Sequence, residues 1–388
     1  MDFNLTEENE LWRTTVHEFA AKEIRPTAAE FDREARFNEP AFRKMSTIGL
    51  LGLNIPEGLG GAGVDAVGAA VAIEELGWAD GGTALSVSAH NGLGCAPIAL
   101  FGTPEQQARW LPGLATGERG LAALALTEPT GGSDLAGSVQ TRAERQGDAW
   151  VLNGAKASIT NASVAEVIVT LARTDPGAGK HGLSLFVVPR QAPGLTVHPP
   201  ERKLGVRASP THALTYDGVR VPADSLLGTA GDGLRQTFQI LDGGRVSIGA
   251  LSVGIARAAL EEALRYAIER PAFGVPIASH QGIQFLLADA ATEIDAAHWL
   301  VLHAAWLKAK GLPFSREAAQ AKLFASEAAE RICRNAIQVL GSYGYSTEYP
   351  VERFYRDARL MTIGEGTSEI LRMVIARRLG EGQRSSDQ

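Results

Sequence analysis

One carboxylate lies between two glycines in Gly364-Glu365-Gly366, an arrangement suited to proton abstraction. Glycine needs no Cβ clearance, so the chain can turn sharply there and a small molecule can approach the backbone closely. A helix is predicted immediately afterwards. Thr367 or Ser368 can cap it, Ile370, Leu371, Val374, Ile375 and Leu379 form an apolar stripe, Arg377 and Arg378 occupy the last turn, and Gly380 follows. Glu365 would then stand on a loop held by a packed helix, where a general base is useful. A helix-start turn with a solvated glutamate has the same local sequence. The hydroxyls of Thr127, Ser133 and Thr160 could hold a polar ligand edge from a β scaffold, or could bond only their own backbone.

Other reactive groups offer less. Cys95 and Cys333 lack metal-ligand spacing and sit in apolar or helical contexts, as packed thiols do. His298 and His303 share a long helix without ligand partners, so no metal site is expected, and His90 reads as a packed or surface residue. Gly58, Gly60 and Gly63 satisfy G-x-G-x-x-G, but Pro56 breaks the apolar run before them and more helix follows. The stretch is expected to be a flexible connection rather than a dinucleotide cradle.

Positioning these residues calls for three regions. Residues 1–120 read as helices: one capped by Thr6, with Leu11, Trp12, Val16, Phe19, Ala20 and Ile24 on one face, then patterns over Pro40–Gly49, Val64–Leu76, Thr83–Phe101 and Pro104–Leu114. Residues 121–230 switch to short β-branched segments, and Gly147-Asp148, Asn153-Gly154 and Asp217-Gly218 are hairpin-type signals, predicting a small antiparallel barrel or sandwich. Residues 231–380 return to long amphipathic helices (about 233–269, 281–310, 315–341 and 367–379), an antiparallel bundle of four, with 342–350 as a loop. Trp299 and Trp306 read as a packing face, and 381–388 as a disordered polar tail.

The 388 residues are 45% hydrophobic and 21% charged, ordinary for a globular protein of two or three domains. A formal net charge of −7 argues against non-specific nucleic-acid binding, which depends on cations neutralising phosphates. No uninterrupted apolar run reaches spanning length, and the acidic start (Glu7, Glu8, Glu10) is unlike a targeting peptide. A bacterial cytoplasm is the expected location.

The motifs, in order, resemble the acyl-CoA dehydrogenase family over about residues 5 to 380, most closely its short-chain, butyryl-CoA branch. They are Leu126-Thr127-Glu128-Pro129 through Gly132-Ser133-Asp134, Lys156-Ala157-Ser158-Ile159-Thr160-Asn161, Lys203-Leu204-Gly205-Val206-Arg207, Val219-Arg220-Val221-Pro222, Arg270-Pro271-Ala272-Phe273-Gly274, His280-Gln281, Gln338-Val339-Leu340-Gly341, Thr347 through Arg359, and the Glu365 stretch. The resemblance implies FAD, held by Leu126, Thr127, Ser133, Ser158, Thr160, Thr367 and Glu369, with Arg270, Phe273, Gln281, Gln338 and Gly341 reaching the flavin of a neighbouring subunit. It further implies acyl-CoA contacts from Ser133, Asp242, Arg245 and Gly366, a homotetramer built as a dimer of dimers, and an electron-transferring flavoprotein as partner. The expected reaction is α,β-dehydrogenation of a short- to medium-chain acyl-CoA to its trans-2-enoyl product in fatty acid β-oxidation, with Glu365 as base. Alternatives on the same scaffold are an acyl-CoA oxidase, a branched-chain dehydrogenase or a catalytically idle flavin-fold binding protein.

Three positions carry particular expectations. Isovaleryl-type relatives take the base from the helix containing Leu241-Asp242-Gly243-Gly244-Arg245, but Gly244, at that position, has no side chain. Asp242 is the rival carboxylate. Ser158 stands where many members have tryptophan, which would leave the flavin less shielded, and Gly364 stands where tyrosine commonly precedes the base, which would widen the acyl pocket. For Glu365 itself, a helix N-terminus favours the charge by about 0.3–1 kcal/mol, whereas burial shifts a carboxyl by up to roughly 3–5 pK units, so its pKa is expected to rise when substrate excludes water.

Overall fold

Thr6 opens the first helix as its position predicts. Its hydroxyl accepts the Asn9 amide, and α1 runs Glu7–Glu23 with three glutamates near its positive end. The computed structural model describes residues 4–386. Six more helices complete the N-terminal region: α2 (Ala28–Glu34), α3 (Glu39–Met45), α4 (Ala66–Ala79), α5 (Gly81–Ser88), α6 (Ala96–Phe101) and α7 (Pro104–Thr116). The continuous helix expected over Thr83–Phe101 is interrupted by a π-helical stretch, Ala89–Cys95. Gly94 permits it, since a Cβ there would lie 2.4 Å from the Ala122 Cβ, and the wide turn packs on the next strand. Residues Gly81–Phe101 are long and apolar enough to cross a membrane, a length the sequence did not lead one to expect, yet 67% of that window is buried inside the protein. The Gly58–Gly63 stretch forms a 3₁₀ turn, Glu57–Leu59, with no preceding strand, and Gly61 is demanded by packing: a Cβ would stand 1.9 Å from the Ile55 carbonyl oxygen.

The middle region forms one sheet from β1 (Leu121–Ala125), β2 (Arg142–Gln146), β3 (Ala149–Thr160), β4 (Ala165–Arg173), β5 (Leu183–Pro189), β6 (Leu195–Pro200), β7 (Thr211–Pro222) and β8 (Leu226–Leu227), in the order β6-β7-β3-β2-β4-β5-β8. A short helix, α8 (Leu135–Ser138), sits in the β1–β2 connection. The sheet is mixed rather than wholly antiparallel, because β1 leaves the helical region beside β4 and runs parallel to it. Gly147, at φ +66°, closes the β2–β3 hairpin as expected. The other two turn signals are corrected. Asn153-Gly154 and Asp217-Gly218 face each other as a bulge inside the β3–β7 ladder, where Gly218 N–H donates to Asn153 Oδ1 at 2.8 Å.

The C-terminal region contains α9 (Gly233–Glu269), a small hairpin of β9 (Pro271–Ala272) and β10 (Val275–Pro276), then α10 (Gln281–Ala309), α11 (Ser315–Leu340), α12 (Val351–Met361) and α13 (Ser368–Ser386). Three expectations change here. The α12 helix is an addition to the predicted four; α13 runs through Gly380 to Ser386, so 381–386 is helical, while 387–388 lie outside the described residues. Trp299 and Trp306 are 43% and 47% exposed, so the packing face expected of them is only partly covered. The largest apolar core joins the N-terminal helices to the bundle, for example Leu76 and Ala79 of α4 with Leu251 and Ile255 of α9. Gly254 lets the two backbones meet, since its Cβ would lie 2.1 Å from the Glu74 carbonyl oxygen. Arg257 of α9 also reaches Glu74 and Glu75 of α4, each at 2.7 Å. From the other side, Arg356 of α12 bonds Asp32 at 2.7 Å and the Leu204 carbonyl at 3.2 Å, tying all three regions together beside the site.

Candidate active site

The loop between α12 and α13 is forced back on itself. Ile363 and Gly364 both donate to the Leu360 carbonyl at 2.9 Å, and the next two residues turn left-handed, Glu365 at φ +54° and Gly366 at φ +102°. A non-glycine in that region costs of the order of 1–2 kcal/mol, so surrounding contacts must hold it. Thr367 is the cap, accepting the Ile370 amide at 3.3 Å, and Ser368 N–H returns to the Thr362 carbonyl at 3.1 Å. Lys322 of α11, fully buried, donates to the Gly366 carbonyl at 2.7 Å.

Glu365 lines a cavity of about 650 Å³, and its Oε2 is enclosed without a hydrogen-bond partner. Burial pushes its carboxyl up to about 7, against the opposing pull of Lys322 and Arg245. Burial therefore already outweighs the helix end in the free protein, before any ligand excludes water. Gly244 makes this possible: a Cβ there would stand 1.9 Å from Glu365 Oε2. The space that a side chain at residue 244 would fill is thus occupied by the Glu365 carboxylate. Arg245, buried, lines the same cavity and bonds Asp242 at 2.5 Å. Asp242 itself borders a separate, more open cavity with Lys308 and Arg378, so the structure does not bring it to the base; it orients Arg245.

The opposite wall comes from the sheet. Lys156 of β3, wholly buried, donates to the Leu126 carbonyl at 3.0 Å and to Glu128 at 2.9 Å, and Glu128 accepts the amides of Gln140 and Thr141 at 2.7 and 3.0 Å. Burial lowers Lys156 to about 8 against the pull of Glu128. Ala157 N–H bonds the Thr127 carbonyl at 3.0 Å. These contacts present Leu126, Thr127 and Ser133 beside Ser158 and Thr160 on one wall. The hydroxyls of Thr127, Ser133 and Thr160 have no hydrogen-bond partner among the described residues, so they do not bond their own backbone. Three hydroxyls without a protein partner on the cavity wall fit the polar edge of a flavin ring. Ser158, at φ +57° on a second bulge, donates its N–H to Glu201 at 2.9 Å and its hydroxyl at 3.2 Å.

The remaining predicted cofactor residues lie elsewhere. Glu369 is exposed on α13. Arg270, Phe273, Gln281, Gln338 and Gly341 gather at the far end of the bundle, where Arg270 stands over the Tyr343 ring at 5.9 Å and Phe273 is 98% exposed. His90 is packed: it accepts the Ala122 amide at 2.8 Å, bonds the Leu51 carbonyl at 2.9 Å, and burial lowers it to about 4. Cys95 and Cys333 are buried and their thiols raised by that burial. Sequence reasoning missed Lys322, Glu201 and the apolar slot of Leu85, Ala89 and Leu93, although the last is visible as an i, i+4, i+8 stripe.

Family models for the acyl-CoA dehydrogenase N-terminal, middle and C-terminal domains match residues 6–118, 123–219 and 231–380. The chain is 51% identical over 380 residues to a probable acyl-CoA dehydrogenase, YngJ, of Bacillus subtilis, covering 98% of this chain and all of that one. It is 46% identical over 381 residues to the mitochondrial short-chain specific acyl-CoA dehydrogenase of Bos taurus, covering 98% and 92%. A chain from a solved structure described as the electron transferring flavoprotein of Acidaminococcus fermentans superposes with a TM-score of 0.96 at 41% identity, covering 98% and 99%. A glutamate enclosed opposite a hydroxyl-bearing β wall, on a chain matched along nearly its whole length, belongs to an FAD-dependent enzyme of the acyl-CoA dehydrogenase family.

Proposed function

We propose that the protein oxidises short- to medium-chain acyl-CoA thioesters to trans-2-enoyl-CoA, with Glu365 as the base that removes the α-proton. The observation that carries this reading is the Glu365 carboxyl lining the cavity with its Oε2 enclosed and unpartnered. A thioester α-carbon is a weak acid, so the base must be positioned and must gain strength as it accepts the proton. A carboxylate poised near neutrality by burial suits that task. Gly366 leaves the backbone bare beside the base, so the amides of the loop can polarise a thioester carbonyl. Thr127, Ser133, Ser158 and Thr160 would hold the flavin, and Leu85, Ala89, Leu93, Leu241 and Ile248 would enclose the acyl chain. Bound FAD supplies the acceptor for the hydride leaving the β-carbon. Ser133 and Arg245 would contact the CoA side, and Gly364, with nothing nearer than 3.7 Å to an added Cβ, leaves room for a branched acyl group.

Electrons would pass to an electron-transferring flavoprotein, a partner consistent with the similarity to the Acidaminococcus chain. The exposed far end of the bundle would meet a second copy, bringing Arg270, Phe273, Gln281, Gln338 and Gly341 to that copy's flavin in a homotetramer. Anaerobic addition of butyryl- through octanoyl-CoA to the flavin-loaded protein should bleach the chromophore and yield the enoyl product. Absence of product with every member of that series would overturn the reading. A second reading, electrons delivered to dioxygen, draws on Ser158 and Glu201, a small polar pair lining the cavity where relatives place an aromatic ring. Oxygen uptake with substrate and no other acceptor, at a rate matching turnover, would favour it.

A further inference from the structure

Lys322 is the most completely enclosed cation near the base, and the reaction above does not use it. It projects from α11, has no exposed surface, and donates to one acceptor, the Gly366 carbonyl at 2.7 Å. Burying an ammonium costs several kcal/mol unless it is compensated, so its placement calls for an explanation beyond packing. The residue it holds is the second of two consecutive left-handed positions, Glu365 at φ +54° and Gly366 at φ +102°. An ordinary helix entrance does not need that conformation. Here it turns the Glu365 side chain into the cavity rather than toward solvent.

We propose that Lys322 is the positioning residue for the base: its ammonium clamps the Gly366 peptide, which locks Glu365 in its left-handed conformation facing the cavity, and supplies a buried countercharge for the carboxylate. This rests on the reading of Glu365 as base. Lys322 touches neither the cavity nor any ligand position, so it acts only through Glu365. The charged groups facing it are Glu365 on the loop, Arg245 on α9, Glu327 on its own helix and Glu369 on α13; those facing Glu365 are Lys322 and Arg245. Burial lowers Lys322 itself to about 8 while Glu365 raises it, so around neutrality the ammonium is charged and the pair is mutually supporting. Arg245 cannot substitute for it. Its guanidinium is tied to Asp242 and, although Nη2 lies 3.9 Å from where a Gly366 Cβ would stand, it makes no hydrogen bond to the Gly366 carbonyl.

The test is Lys322→Met, which keeps the length and apolar stem but removes the charge and the donor. Two readouts are needed: the pH profile of kcat and KM, and the ionisation of the Glu365 carboxyl followed by difference infrared titration of the flavin-loaded protein, with Glu365→Gln as the reference. The expected result is a fall in kcat of about 10²-fold with KM changed less than about threefold, since a misplaced base costs rate more than binding. The carboxyl ionisation should move upward by about one pH unit or more, because removal of a nearby cation disfavours the carboxylate. If Lys322→Met does not fold, Lys322→Gln, a shorter neutral amide, gives the same two readouts. A variant that folds and binds flavin with an unchanged infrared titration and an unchanged pH profile overturns the proposal and leaves Lys322 as packing. If Glu365→Gln itself retains full activity, the base assignment fails instead, and the two failures are told apart by that control.

Discussion

Glu365 is a residue on which local structure and chemistry pull in opposite directions. Its position before α13 would favour the charged form, but enclosure dominates and the carboxyl rises from an ordinary 4.5 to about 7. A raised carboxyl is protonated below its pKa and able to act as base above it. The kcat/KM profile, which reports the free enzyme, should therefore climb about tenfold per pH unit below neutrality and level off above about pH 7. The limb in kcat should lie higher still, because bound thioester removes the remaining water. Steady-state rates across pH 5 to 9 check both; a flat profile through neutrality would contradict the assignment. Gly244 belongs to the same argument. With 1.9 Å between its would-be Cβ and Oε2, Gly244→Ala should displace the base and lower kcat by about 10²-fold while the urea midpoint moves little, since an alanine suits a helix better than glycine.

At the scale of elements, the two walls of the cavity are held by unlike means. The α12–α13 loop is held by Lys322 and the Thr367 cap, whereas the β1–β2 loop is held by the ion pair of Glu128 and Lys156, each almost completely buried. Removing one partner strands the other charge. Lys156→Met should cost about 3–5 kcal/mol by chemical denaturation and loosen flavin retention, because Leu126 and Glu128 lose their anchor. Helices and strands were largely legible, since periodicity of 3.6 and of 2 follows from which face is buried. What escaped depended on distant partners. Asn153-Gly154 and Asp217-Gly218 have the composition of turns, but each is kept inside a ladder by the other across the β3–β7 pairing. Gly380 resembled a helix stop, yet nothing within 4 Å demands a glycine there and α13 continues. Lys322 resembled any surface lysine of an amphipathic helix, and only the return of residues 365–366 against α11 buries it and gives it an acceptor.

At the scale of the molecule, the site needs all three regions: apolar residues of α5 and the π-helical stretch, the hydroxyl wall of the sheet, and the base from the bundle. Its general outline could be expected from motif order alone, but the placing of Asp242 and Glu365 on different cavities could not. The far end of the bundle is where the single chain is least complete. Phe273 is 98% exposed and left-handed at φ +53°, with Tyr345 at 88% and Phe285 at 58% exposed on the same end. Such a cluster is costly in water and suits a second copy. Phe273→Asp should shift the protein to smaller oligomers in sedimentation velocity and weaken flavin retention, with the monomer's thermal stability little changed. Unaltered assembly would remove this surface from the interface.

The most direct measurement of the central claim is anaerobic single-turnover bleaching of bound FAD by butyryl-CoA, comparing the native protein with Glu365→Gln. The amide keeps the size of the side chain but cannot accept the α-proton. The account predicts flavin content and analogue binding close to native and a bleaching rate lower by at least about 10²–10⁴-fold, the usual contribution of a positioned base. Bleaching at the native rate in a variant that binds flavin and ligand normally would show that the proton leaves to another group, and would contradict it.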